Sequence, residues 1–326
     1  MDKHTIENSL ADLSVKPPNR EDNPVGFVAI TDISLILGLP VMGLCSILLP
    51  QFLWARFGHK LSPITLKMLP SSAEKIHKRL RAFFGSAFSK KDLQSLPFEL
   101  AKNEIVRLLF LLGALMPFSG RFKTSVVGKE NIEAALKRGK GVVLWDSHFY
   151  FASSGTKIAL SRAGYNLYHL SHLRHGFSAS WVGINVLNRI WVASELKFLA
   201  ERIIIKYQNP APAMKILSER LNNNAVISIT VRDSSNKPVE APFLNRQIRV
   251  APGAPVIAKR NEAALLPVFT IRQEDGNFVT EVGAAIDLPS EMDTKSAVQF
   301  AVEQYAQRLE PYVKENPGQW LDWLSL

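Results

Sequence analysis

The chain is poor in the residues from which several kinds of site are built. Its 326 residues hold a single cysteine, Cys45, which excludes internal disulfides and any cysteine-based zinc cluster and favours the cytoplasmic side. The 18 glycines are scattered, so no phosphate-binding glycine loop or dinucleotide fingerprint is present, and no internal repeat appears. Acidic residues are the minority charge, 29 against 39 Lys and Arg, which leaves a formal charge of +10. That balance implies an anionic partner: a membrane surface, a phosphorylated lipid, an acidic carrier protein or nucleic acid. Nucleic acid is set aside because the aromatics are not interleaved with the basic residues as a stacking platform needs.

What is present is apolar bulk, 47% of the chain, enough to bury a sizeable core. Residues 1–26 are polar and read as a flexible lead-in, with no signal peptide. Residues 27–122 read as a helical, membrane-anchoring region. Its first part, Phe27 to Trp54, is the most apolar stretch of the chain, but Asp32, Pro40 and Pro50 predict a broken, membrane-embedded or interfacial anchor rather than a simple span. Further on, Glu74 to Phe84 puts Ile76, Leu80, Phe83 and Phe84 on one helical face, and Leu96 to Leu115 forms a second helical run.

Residues 123–326 read as an α/β domain. Val142, Val143, Leu144 and Trp145 predict a strand buried on both faces, with His148 at its carboxyl end, where catalytic groups collect in open α/β sheets. A helix is expected over Gly155 to Ala163, carrying Lys157, and a strand over Asn166 to Leu170. His169, His172 and His175 stand three residues apart, a spacing that invites a metal, but no carboxylate or cysteine joins them. Arg174 within this cluster suits a phosphate or carboxylate of the substrate. Strands are expected over Ala225 to Val231, Ala264 to Ile271 and Phe278 to Gly283, and helices over Pro210 to Leu221, Val256 to Arg260 and Thr294 to Val313. The fold class is α/β, with a mixed, mostly parallel central sheet flanked by helices.

Three segments carry a resemblance. They are Val127 to Leu144 followed by His148-Phe149; then Pro242 to Arg246, Pro252 to Arg260 and Ala264 to Phe269; and the ending Asn316-Pro-Gly-Gln-Trp-Leu-Asp-Trp323. In order and spacing the chain from about Gly38 onward resembles the lysophospholipid acyltransferase superfamily, in its branch of bacterial lipid A lauroyl/myristoyl acyltransferases. The resemblance implies that His148 is the general base that activates an acceptor hydroxyl. It also implies that Asp233 belongs to the active-site wall, to which Arg232 is added on charge. Phe243 would line an acyl channel, and Arg246 and Arg249 would grip anionic oxygens.

One position departs from the family pattern. The signature places a carboxylate after four residues to orient the histidine, and here that position is Ser153. Asp146, on the same side of an extended strand as His148, or the distant Asp233 would have to supply the acid; otherwise the protein is a catalytically altered, non-enzymatic lipid- or acyl-binding homologue. The implied activity is transfer of a fatty acyl group from a thioester on acyl carrier protein or coenzyme A to a lipid or glycolipid hydroxyl. The thioester is a co-substrate, and no metal or other cofactor is expected. The implied location is the cytoplasmic face of a bacterial inner membrane, on anionic lipid, as a monotopic or single-anchor protein.

Overall fold

A computed structural model describes residues 24–68, 73–85, 88–116, 122–206, 209–231 and 237–324. The lead-in up to residue 23, together with Arg232 and Asp233, lies outside the described residues.

The helical part opens with α1 (Ile30–Leu48), which ends before Pro50, and α2 (Trp54–Met68) follows after one short 3-10 turn. The expected break at Pro40 is absent, because α1 runs through it. A proline interrupts a helix by removing one amide donor and crowding the preceding turn. Here its ring lies on the exposed face of α1, where no packed neighbour adds to that cost. The helix turns Asp32, Leu39 and Ser46, spaced by sevens, onto the body. Asp32 accepts hydrogen bonds from the Ala29 amide and the Ser180 hydroxyl, which fixes the helix start to a distant loop.

Helix α3 (Ala73–Phe84) buries Ile76, Leu80, Phe83 and Phe84, the four residues that its 3.6-residue period selects. Helix α4 (Lys90–Leu115) packs against α2 and α1, and Phe110 stacks on Phe278 of the sheet with centroids 4.2 Å apart. One hydrophobic cluster therefore runs from Trp54 through the helices into the α/β part.

The sheet has seven strands in the order β1-β9-β8-β2-β5-β3-β4. They are β1 (Thr124–Val127), β2 (Val142–Asp146), β3 (Leu167–His172), β4 (Glu201–Ile205), β5 (Val226–Thr230), β8 (Ala264–Arg272) and β9 (Phe278–Val282). Only the β8–β9 pair, closed by a tight turn, is antiparallel. Central β2 is buried at every residue, whereas β3, nearer the edge, alternates. Gly141 makes the turn into β2 with φ of +70°, and a Cβ there would meet the Ala225 carbonyl oxygen at 2.9 Å.

Helices α5 (Lys129–Leu136), α6 (Ala152–Arg162), α7 (Asn188–Leu196), α8 (Ala211–Asn222), α9 (Gly253–Arg260) and α10 (Thr294–Glu315) flank the sheet. Asp293 caps α10 by accepting from the Ser296 amide at 2.9 Å. Strands β6 (Val239–Phe243) and β7 (Arg246–Val250) form a separate antiparallel hairpin against α10. After α10 the chain turns back over the carboxyl end of β2 in two 3-10 turns, Pro317–Gln319 and Leu321–Leu324.

Candidate active site

The loop that leaves β2 carries His148 into a cavity of about 1050 Å³. Its walls are mixed. Trp145, Phe149, Leu170, Ile205, Met214 and Ile229 supply apolar surface, while Arg107, Lys157, Arg174, Lys206 and Lys237 supply positive charge. Four histidines, His148, His169, His172 and His175, also border it, and no Asp or Glu is among the described lining residues. The volume stands at the upper end of the range for small-molecule sites, so a long flexible ligand fits.

His148 has a carboxylate partner, and it is neither of the two that the sequence suggests. Nδ1 of His148 lies 2.5 Å from Oδ1 of Asp322, in the turn Leu321–Leu324. The backbone holds this pair on both sides. The Leu321 amide donates to the His148 carbonyl at 3.0 Å, the Tyr150 amide donates to the Gln319 carbonyl at 2.9 Å, and Phe149 bridges to Trp320. Trp320 and Trp323 flank Asp322 and are both fully buried. Trp323 donates from Nε1 to the Pro317 carbonyl at 2.9 Å, and its own carbonyl accepts from Arg79 of α3 at 2.8 Å. Asp322 is thus clamped in place by two aromatic anchors and by the helical region.

Asp146 points elsewhere. The pleat turns it away from the cavity face of β2, under α6, where its Oδ1 accepts from Thr156 at 3.1 Å. Thr156 in turn bonds Thr270 at 2.6 Å, and Thr270 bonds Thr280 at 2.9 Å, all inside the protein. Burial pushes the Asp146 carboxyl up to about 7, although the Lys157 ammonium and the Thr156 hydroxyl pull it down.

A buried ion pair stands in the cavity wall itself. Lys157 Nζ lies 2.8 Å from Glu195 Oε1, with both side chains out of solvent. The same oxygen accepts from Trp191 Nε1 at 3.0 Å and meets His175 Nε2 at 3.2 Å. Burial by itself would raise the Glu195 carboxyl, but Lys157 and His175 outweigh it and hold the group well below the carboxylate range. Burial and Lys157 likewise keep His169 well below the usual histidine range, so it is neutral, 3.2 Å from the Ser228 hydroxyl.

Of the other residues expected at the site, Arg174 and Ser153 border the cavity. Phe243 does not. It is buried in the core against Phe83 and Trp320, because its place on the hairpin turns it inward. Arg246 and Arg249 are exposed and do not border the cavity: Arg246 donates from Nε to the Ala82 carbonyl at 3.4 Å, and Arg249 faces Glu240 at 3.8 Å. His169 and His172 lie on strand β3, not a helix, and among the described residues no group of three potential ligands could hold a metal.

The sequence profile of the bacterial lipid A biosynthesis acyltransferases matches residues 33–325, a range that includes nearly all of α1, the whole sheet and Asp322. The chain belongs to that family. No curated protein matches this acyltransferase-family chain significantly. The match supports an acyltransferase and spans both the helical region and the sheet.

Sequence reasoning passed over Asp322 and Glu195. For Asp322 a signal existed, a lone carboxylate between two tryptophans in an otherwise apolar ending.

Proposed function

We propose that the protein transfers a fatty acyl group from an acyl thioester, on acyl carrier protein or coenzyme A, to a hydroxyl of a lipid or glycolipid acceptor, with His148 as general base and Asp322 as the acid that orients it. The observation that carries this is the 2.5 Å contact between His148 Nδ1 and Asp322, beside a large cavity of apolar and basic lining. An ionised carboxylate only accepts, so the pair fixes the ring proton on Nδ1 and leaves Nε2 with its lone pair for the acceptor hydroxyl. As the hydroxyl oxygen attacks the thioester carbonyl carbon, its proton passes to Nε2. Asp322 stabilises the imidazolium that results, and the proton leaves with the thiolate. The exposed cations at the cavity, Lys206 and Lys237, suit an anionic carrier or headgroup.

For the membrane, α1 is apolar enough to cross a bilayer by length and composition, with mean hydropathy 1.9. It nonetheless lies along the body with one seam buried and Ile36, Leu37, Val41, Leu44 and Leu48 exposed. Phe27 and Trp181 extend that apolar face, stacked at 5.1 Å. This arrangement suits a monotopic seat on the cytoplasmic face of a bacterial inner membrane.

A non-enzymatic acyl-binding protein would tolerate a sealed histidine, but the His148 side chain is 18% exposed and borders the cavity. The test is transfer from labelled acyl carrier protein and acyl-coenzyme A into membrane lipids by wild type and His148→Ala. Label that depends on His148 supports the reading. A wild-type protein silent with both donors in every lipid pool overturns it.

A further inference from the structure

The cavity beside His148 has two unlike halves, and the strand register divides them. Trp145 of β2 is paired with Ile229 of β5, and Ile229 with Leu170 of β3, so the three side chains form a row on one face of the sheet. All three border the cavity. Leu170 is paired in turn with Ile203 of β4, which puts Ile205, two residues further on, on this same face, where it also borders the cavity. Leu144, Ser228 and His169 make the matching row on the opposite face, and the polar lining from His169 and Ser171 gathers on that side.

The apolar row is the floor of a trough. Pro252, Gly253 and Ala254, at the start of α9, give it a wall of small residues, and a Cβ built on Gly253 meets no atom within 4 Å. Met214, in the first turn of α8, borders the end away from His148, since α8 packs on β4 and β5. From β2 across β5 and β3 to β4 the row crosses three strand spacings of about 4.8 Å, or about 14 Å in all. Carbon–carbon bonds of about 1.5 Å advance an extended chain by about 1.25 Å each, so about 11 carbons fill that distance.

We propose that this trough holds the fatty acyl chain of the thioester donor, and that Met214, Ile205 and the open space at Gly253 set the chain length it takes; this rests on the acyltransferase reading given above. The thioester carbonyl lies at His148, and the tail runs from Trp145 over Ile229 and Leu170 toward β4. Apolar carbon laid on that row leaves water, while charged groups of carrier or acceptor keep to the polar side of the cavity. Each buried methylene contributes about fourfold to binding. A chain that stops short of Met214 therefore forfeits affinity, and one that is longer has to push the Met214 side chain aside. Phe243 takes no part, because it is sealed in the core.

The test uses the full chain in lipid vesicles with one acceptor pool, as wild type, Gly253→Leu and Met214→Ala. The donors are even-numbered acyl thioesters from octanoyl to hexadecanoyl, on acyl carrier protein and on coenzyme A. Leucine is a better helix former than glycine and meets no close atom here, so Gly253→Leu keeps its thermal stability. By displacing two or more methylenes of the tail it lowers the ratio of kcat/KM for dodecanoyl over octanoyl donors by at least about tenfold. Met214→Ala opens the far end and raises the ratio for hexadecanoyl over dodecanoyl by at least about fourfold. The inference is overturned if Gly253→Leu keeps the wild-type ratios within about threefold, or if the substitutions change KM for the acceptor and leave the donor ratios alone. Should Met214→Ala fail to fold, Gly253→Leu decides alone. Should wild type transfer no acyl group, the acyltransferase reading fails separately, and equilibrium binding of the coenzyme A thioesters to wild type and Gly253→Leu decides. A preference moved to shorter chains upholds the trough, and the same dependence on length in both proteins sinks it.

Discussion

Replacing Asp322 by asparagine tests the His148 pairing with the least disturbance. Asparagine keeps the shape of the side chain, so Trp320 and Trp323 stay packed, but the charge that stabilises an imidazolium is gone. The amide also presents a donor as well as an acceptor. Where its NH₂ faces Nδ1, the ring proton is driven to Nε2, and the nitrogen aimed at the acceptor hydroxyl can no longer take a proton. Both effects fall on the chemical step, and the contact is a short one at 2.5 Å. A loss of about 10²- to 10⁴-fold in kcat is expected, or roughly 3–5 kcal/mol of transition-state stabilisation, with KM nearly unchanged. Folding stability should drop by no more than about 1–2 kcal/mol, since one hydrogen bond is weakened and neither group is left as a buried charge. The assay is single-turnover acyl transfer beside thermal unfolding of the same preparations. Asp322→Asn within about threefold of wild type would refute the pairing as a catalytic device.

Three further outcomes follow from the buried charges and the apolar face. Glu195→Ala strands the Lys157 ammonium out of solvent and should destabilise by roughly 3–5 kcal/mol in denaturant unfolding, far more than a surface ion pair such as Lys140–Glu262 would on losing its acid. Asp146 titrates near 7 in the folded protein against 3.8 as a free side chain, so it binds a proton more tightly when folded, and its contribution to stability is complete below about pH 4 and lost as pH rises to about 7. Asp146→Asn, which keeps the acceptor for Thr156, should therefore gain on wild type over that window, by roughly 4 kcal/mol at most; parallel unfolding curves from pH 4 to 8 would contradict this. Leu37→Glu with Leu44→Glu, on the exposed face of α1, should move the protein from anionic vesicles to the supernatant in a flotation assay without lowering its thermal stability; retention on the vesicles would argue that this face is not the membrane contact.

Local pattern carried much of the fold. The buried face of α3 is legible in Ile76, Leu80, Phe83 and Phe84 because a helix repeats every 3.6 residues, and β2 and β8 are legible because a strand covered on both faces reads as a nearly continuous apolar run. The placing of His148 at a strand end follows from the same reasoning. Pro40 misled, since proline weighs on a helix locally while the packing of Leu39 against Leu111, Leu112 and Trp191 supports it from a distance. Phe243 misled because a hairpin's inward and outward faces depend on what the hairpin packs against.

The sequence by itself determined the classes of element, the helical region ahead of a mostly parallel sheet, the basic character of the chain and the position of the histidine. These are properties of neighbours in the chain, written in periodicity and composition. Only the tertiary structure decided which carboxylate serves that histidine, because Asp322 lies 174 residues away and reaches it through two buried tryptophans and a backbone bridge that no local pattern encodes. The same holds for Glu195 and Lys157, whose charges tolerate burial only because the fold brings them together.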